Sequence, residues 1–155
     1  MLIEHVFVTT LEKDQAFALA AEMLHRSGFL ATASGPDALN AECGGRAPGN
    51  PSRCPQRVHL VFDRGRVTVA AGITLRNGSD KVKPLHKQMM LSLVDGFDEL
   101  LVKQVDIDRA LAGWRVVHDE IARRRRRITR VSIGCLSLLL ALVAACIVFV
   151  WIELS

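Results

Sequence analysis

Short segments rich in β-branched and aromatic residues fill much of the first half of the chain, and turn residues separate them. This pattern predicts β-strands. The clearest hairpin lies in the middle, where residues 58–62 alternate between apolar and polar side chains, residues 63–66 (Asp-Arg-Gly-Arg) form a turn, and residues 67–75 run back. The predicted strands are residues 2–8, 29–33, 38–43, 58–62 and 67–75.

Other segments repeat apolar residues every three or four positions, which is the spacing of an amphipathic helix. The first follows Thr9 and Glu12, which match the Thr-x-x-Glu pattern of a capping box, and it ends at Gly28. The second starts at Pro84, a residue favoured in the first turn of a helix. Asp106 or Asp108 is expected to cap a third.

The order of these elements, β-α-β-β-β-β-α, predicts an α+β fold. Strands joined by short turns form a mainly antiparallel sheet, here of four to five strands, and two helices cover one face as a two-layer sandwich. We expect this domain to span residues 1–105 and to be followed by a helical stalk at residues 106–130. The order of elements in residues 1–105 resembles the helix-grip arrangement of the START and polyketide-cyclase type, which implies a ligand cavity between helix and sheet.

Residues 131–152 contain no charged side chain. As a helix they would measure about 33 Å, against about 30 Å for the hydrocarbon core of a bilayer. They therefore predict one C-terminal transmembrane helix, followed by a short non-cytoplasmic tail at residues 153–155. Trp151 is expected at the far membrane interface. Ser137, Ala141 and Ala145 recur at four-residue spacing and could let this helix pair with itself or with another membrane protein.

The charge of the chain is divided unevenly. Residues 1–122 carry 14 Lys and Arg against 15 Asp and Glu, whereas residues 123–155 carry six Arg and one Glu. The basic character therefore belongs to the segment beside the apolar helix, which favours a membrane and argues against nucleic acid. These residues are expected to hold the N-terminal side in the cytoplasm and to attract anionic lipid: Arg123, Arg124, Arg125, Arg126, Arg127 and Arg130.

Candidates for chemistry are few. The sequence contains no nucleophile elbow, phosphate-binding loop or dinucleotide-binding motif, so no catalytic or cofactor-binding residue and no cofactor is predicted. Cys43 and Cys54 flank a Gly- and Pro-rich loop and could form a reversible disulfide, or bind zinc with His5 and His59. Two unrelated thiols and two surface histidines explain the same residues, and no metal site is predicted.

These observations favour a single-pass, tail-anchored protein of a membrane such as the bacterial inner membrane. Its cytoplasmic domain would be a non-catalytic binding or accessory module beside a membrane complex, with the lipid bilayer and another membrane protein, or itself, as partners. A small-ligand or lipid-binding domain of helix-grip type is the alternative. An enzyme is a third hypothesis, and it would require the histidines or cysteines to converge with carboxylates in one cleft.

Overall fold

A computed structural model describes the backbone of residues 1–44, 54–74 and 84–153, and within it the side chains of residues 134, 138, 141 and 144–153 are outside the description. The chain is an α+β protein. Its elements, in chain order, are β1 (Leu2–Val8), α1 (Lys13–Arg26), β2 (Leu30–Ala33), β3 (Ala38–Cys43), β4 (Gln56–Asp63), β5 (Arg66–Ile73), α2 (Pro84–Leu101), α3 (Ile107–Ala110) and α4 (Ala112–Glu153).

The five strands form one antiparallel sheet in the order β1-β5-β4-β3-β2. The predicted element order and the antiparallel sheet are thus confirmed. Consecutive strands β2 to β5 are neighbours, and short turns join β2 to β3 and β4 to β5. β1 is the exception, because its neighbour is β5, the last strand in the chain. Phe7 lies opposite Val67 and Leu2 opposite Gly72. The two ends of the sheet are therefore β1 and β2.

The core lies between one face of the sheet and the helices. Alternate residues of β4 and β5 enter it, and Val58, Leu60 and Val69 are each no more than 1% exposed. From α2, Met89, Met90, Leu93 and Phe97 meet them, with no measurable exposure. This stripe is the apolar face that the three- and four-residue spacing predicted.

The hairpin between β4 and β5 follows the predicted turn. Arg64 and Gly65 both have positive φ, at 46° and 80°. Two consecutive residues of this kind make a type I′ turn, whose twist matches that of the strands it joins. Asp63 and Arg66 then pair across the first rung of the ladder.

The predicted capping box at the start of α1 is wrong. The residue that precedes the helix is Glu12, and its side chain makes no capping hydrogen bond. Thr9 lies too far before Lys13 to reach the first turn. Its hydroxyl instead donates to the carbonyl oxygen of Leu101 at 2.5 Å and accepts from the backbone N–H of Leu11 at 3.1 Å. Thr9 therefore joins the end of β1 to the end of α2.

Replacing Thr9 by valine tests this bond. Thr9 is only 6% exposed. Valine keeps the shape of the threonine side chain, but it leaves the Leu101 carbonyl and the Leu11 N–H without this partner. We expect the free energy of unfolding to fall by about 1–3 kcal/mol. Thr10→Val is the matched control, because the Thr10 hydroxyl accepts its bond from Gln104 at the exposed surface. Urea unfolding monitored by circular dichroism measures both, and equal losses would contradict the assignment.

The chain divides into two compact units, Met1–Ile121 and Ala122–Ser155. Asp106 caps α3, because its side chain accepts a hydrogen bond from the backbone N–H of Arg109 at 3.0 Å. Of the two predicted caps, Asp106 and Asp108, it is thus the first that is observed. Beyond it, Trp114, Val117 and Ile121 are buried in the core of the first unit. The segment predicted as a stalk therefore belongs to the first unit as far as Ile121.

The second unit contains the rest of α4, which ends at Glu153. Its backbone is helical throughout residues 131–152, the segment predicted to span the membrane. When only the described residues are searched, no helix combines the length and the hydropathy needed to cross a bilayer.

Candidate functional site

Six arginines form a basic segment at the start of the second unit. Five are consecutive, from Arg123 to Arg127, and Arg130 follows one turn later. Successive residues of a helix are turned by about 100°, so five of them surround the whole helix. All except Arg125 are exposed, and Arg125 is half-buried. The segment is a collar of positive charge around α4, not a stripe along one side, which suits a surface of anionic lipid head groups.

An apolar surface begins directly after this collar. Among the described side chains, Val131 is 66% exposed, Leu136 61% and Leu140 63%. Ile133, Leu139, Leu142 and Val143 are exposed to a similar degree. Single exposed apolar side chains are ordinary, but a contiguous apolar surface of this kind marks a site for membrane or protein contact.

The predicted helix-pairing residues are described only in part. The side chain of Ser137 is exposed. The side chains of Ala141, Ala145 and Trp151 lie outside the described residues, so the helix contact and the interface position predicted for them stay predictions.

The second candidate region is the face of the sheet opposite the helices, here called the open face. The side chains that alternate with the core residues point to it. Leu2, Val6 and Val8 of β1 are 68%, 54% and 69% exposed, and Leu30 of β2 is 77% exposed. No described helix packs over these residues.

A shallow depression of about 220 Å³ lies on the open face where β1, β4 and β5 meet. The small residues Ala70 and Gly72 contribute to it, with Arg57 and His59 on the β4 side. Arg57 Nε lies 2.9 Å from Glu42 Oε1. The Arg57 guanidinium is thus paired with an exposed carboxylate at this site.

The free edge of β1 is the third feature, defined as the side of Leu2–Val8 that does not face β5. Ile73 donates its backbone N–H to Met1 O, and Thr9 donates its own to Gly65 O. Met1 and Thr9 therefore direct their backbone groups toward β5. In an antiparallel ladder such residues alternate with residues whose backbone N–H and C=O groups point away from the neighbouring strand. Among the residues that the structure describes, the backbone N–H and C=O groups that point away from β5 and have no strand partner therefore belong to Leu2, Glu4, Val6 and Val8.

The cysteines and histidines do not converge. His5 lies opposite Val69 on the helix-covered face, where its ring contacts that of Phe7 in a tilted arrangement with centroids 4.6 Å apart. His59 lies opposite Ala70 on the open face and contacts Asn40. Cys43 is buried and Cys54 is half-buried, and no disulfide joins them. Among the described residues no group of three or more His, Cys, Asp or Glu side chains could hold a metal.

The pKa shifts of Cys43 and Asp108 are caused by burial and by ion pairing, respectively. Burial raises the pKa of the Cys43 thiol, which keeps it protonated and unreactive. Arg115 lowers the pKa of Asp108 through a hydrogen bond of 2.6 Å, and Arg26 adds to the effect. These ion pairs are exposed and connect α1, α3 and α4.

The sequence matches no protein-family model and no curated protein.

Sequence patterns pointed to the basic collar and the apolar helix but not to the free edge of β1. The local pattern of β1 does not indicate an edge, because the strand has apolar residues on both of its faces: Ile3 and Phe7 on one, Leu2, Val6 and Val8 on the other. Such a strand is normally buried on both sides in the interior of a sheet. Its position at an end of the sheet follows only from the strand order.

Proposed function

We propose that this chain is a membrane-tethered accessory protein, in which residues 131–152 of α4 lie in the bilayer and the α+β unit binds a protein partner at the cytoplasmic surface. One observation carries the proposal: an uncharged, helical segment of bilayer length begins where a collar of six arginines ends. Exposing that much apolar surface to water is unfavourable, at about 25 cal/mol for each Å².

The arginines determine the proposed orientation. Basic residues within about 15–20 residues of a membrane helix stay on the cytoplasmic side. Each can also gain about 1 kcal/mol from an anionic leaflet. The first unit precedes the collar, so it lies on that same side. Contact of this helix with another membrane helix, through Ser137, Ala141 and Ala145, is part of the proposal.

The partner-binding role is supported by what the first unit leaves uncovered. Its open face and the free edge of β1 expose apolar side chains, while the histidines and cysteines are too dispersed to form a reaction centre among the described residues. The ligand-binding alternative has no such support, because the residues between α2 and the sheet fill that space with almost no exposure.

Flotation of membranes tests the tether. Membranes from cells that produce the full chain are washed at alkaline pH, which removes peripheral proteins, and are then floated in a density gradient. We expect the chain to float with lipid, and a protease added to the cytoplasmic side to digest the first unit. The control is a chain that ends at Arg130, which should stay in the dense fractions. A full chain that remains there too would contradict the tether.

The binding role has a separate readout. After extraction of the full chain in mild detergent, its mass is measured by light scattering together with size exclusion. A complex that also contains a different protein supports an accessory role, whereas a complex of copies of this chain alone counts against it. A single, monomeric chain under all conditions of extraction would contradict it.

A further inference from the structure

We propose that the free edge of β1 pairs with the same edge of a second copy of this chain, forming a continuous ten-stranded antiparallel sheet across a two-fold axis at His5. This inference goes beyond the membrane tether and does not depend on it, because it rests only on the geometry of the sheet.

The edge has the properties of a strand that another strand can join. β1 is seven residues long, and its register with β5 continues from Leu2 opposite Gly72 to Val8 opposite Arg66 without a bulge. It contains no proline and no lysine, the residues that commonly protect an exposed edge. The middle of the strand is also uncovered, since His5 is exposed although it points to the helix side.

The length of the edge favours a second copy over an open chain of molecules. The other free end of the sheet is β2, which has only four residues. Pairing β1 with β2 of the next copy would match four residues and would continue without closure. Pairing β1 with β1 matches the whole strand and closes as a two-fold dimer.

The backbone pattern and the charges together select one register. The edge groups belong to Leu2, Glu4, Val6 and Val8, so these even-numbered residues must exchange the new hydrogen bonds. With the axis at Glu4, two carboxylates would oppose each other, which is unfavourable. With the axis at His5, Leu2 lies opposite the partner's Val8 and Glu4 opposite the partner's Val6. All seven residues pair, and like charges do not meet.

In the same register, the helix-covered faces of the two copies lie on the same side of the joined sheet. Residues of equal parity oppose each other, so Ile3 meets the partner's Phe7 on the helix side and the apolar residues Leu2 and Val8 meet on the open face. The two His5 residues form a pair without hydrogen bonds between them, with Cα atoms about 4.5 Å apart.

Engineered disulfides test the axis. His5→Cys in the full chain, dissolved in mild detergent and gently oxidised, should form a covalent dimer, because a Cα separation of about 4.5 Å is within disulfide range. Val8→Cys is the matched control on the same exposed strand. In the proposed register the two Val8 residues are about 20 Å apart, so this variant should cross-link no more than the parent chain. Equal cross-linking of the two variants, or none above the parent, would overturn the proposal.

A pair of opposite charges at one position tests the register independently. Val6→Lys places a lysine opposite the partner's Glu4, twice in each dimer, whereas Val6→Glu places a carboxylate there. In the His5→Cys background we expect Val6→Glu to dimerise about tenfold less than Val6→Lys. A foreign strand on this edge would not make the two variants differ in this way. Equal dimerisation of the lysine and glutamate variants, with unchanged circular dichroism, would rule out the register.

Discussion

Arginine at both Leu139 and Leu142 is expected to release the chain from membranes. The two residues lie near the middle of residues 131–152, and both side chains are exposed on α4. A charged side chain at the centre of a membrane helix costs about 2.5–3.5 kcal/mol on insertion scales, so the pair costs roughly twice that. We expect most of the double variant to be absent from the floated lipid fraction after an alkaline wash.

Depth in the membrane provides the control for this experiment. Arginine at Val131 adds the same kind of charge directly beside Arg130, where a long side chain can reach the head groups. That variant should float like the parent chain. A helix that is exposed to water throughout would tolerate arginine equally at both depths. Equal flotation of the central and the peripheral variants would therefore contradict the proposed tether.

Gly96→Ala is expected to lower the free energy of unfolding of the first unit markedly, although it adds only one methyl group. A Cβ atom at Gly96 would lie 2.6 Å from the carbonyl oxygen of Ala110 and 2.8 Å from Met23 Cε. The methionine end can move, but the carbonyl belongs to the backbone of α3. Forcing extra volume into such a contact typically costs about 1–3 kcal/mol. Gly96 therefore allows α2 to approach α1 and α3 closely.

Gly113→Ala is the matched control for this prediction. Gly113 also lies in a helix, but the nearest atom to its added Cβ would be Ser92 Cβ at 4.0 Å, which is ordinary contact. Alanine there is expected to be neutral or to stabilise α4 by up to about 1 kcal/mol. Thermal unfolding of the full chain in detergent should show a lower midpoint for Gly96→Ala and an equal or higher one for Gly113→Ala. A loss of stability in both variants would show that helix glycine alone, and not the close contact, is responsible.

Local patterns predicted most of the elements because they depend on neighbours in the chain. The Asp-Arg-Gly-Arg turn has positive φ values at Arg64 and Gly65, and the glycine, which favours such a value, marks the turn in the sequence. Pro84 begins α2, and the spacing of Leu93 and Phe97 gives their shared burial. In each case the signal needs only a few residues that are close in sequence, so tertiary structure had little to add.

Long-range contacts overturned one local pattern. Thr9 and Glu12 have the residues and spacing of a capping box, yet the Thr9 hydroxyl bonds to Leu101, which is 92 residues away along the chain. A buried hydroxyl bonds to whatever polar group packing brings near it, and for Thr9 that group lies at the end of α2. Similarly, His5 and His59 are both strand residues, but only the register shows that they lie on opposite faces.

The sequence by itself determined the class of fold, the predicted helical stripe of α2 and the division of charge, with the arginines gathered beside the uncharged segment. These are properties of composition and period along the chain. The tertiary structure alone decided that β1 is an end strand beside β5, that one face of the sheet is open, and that Gly96 is a point of close approach. Each of these depends on which distant segments meet. The periodicity of a segment indicates that one of its faces is buried, but it does not indicate which other segment covers that face.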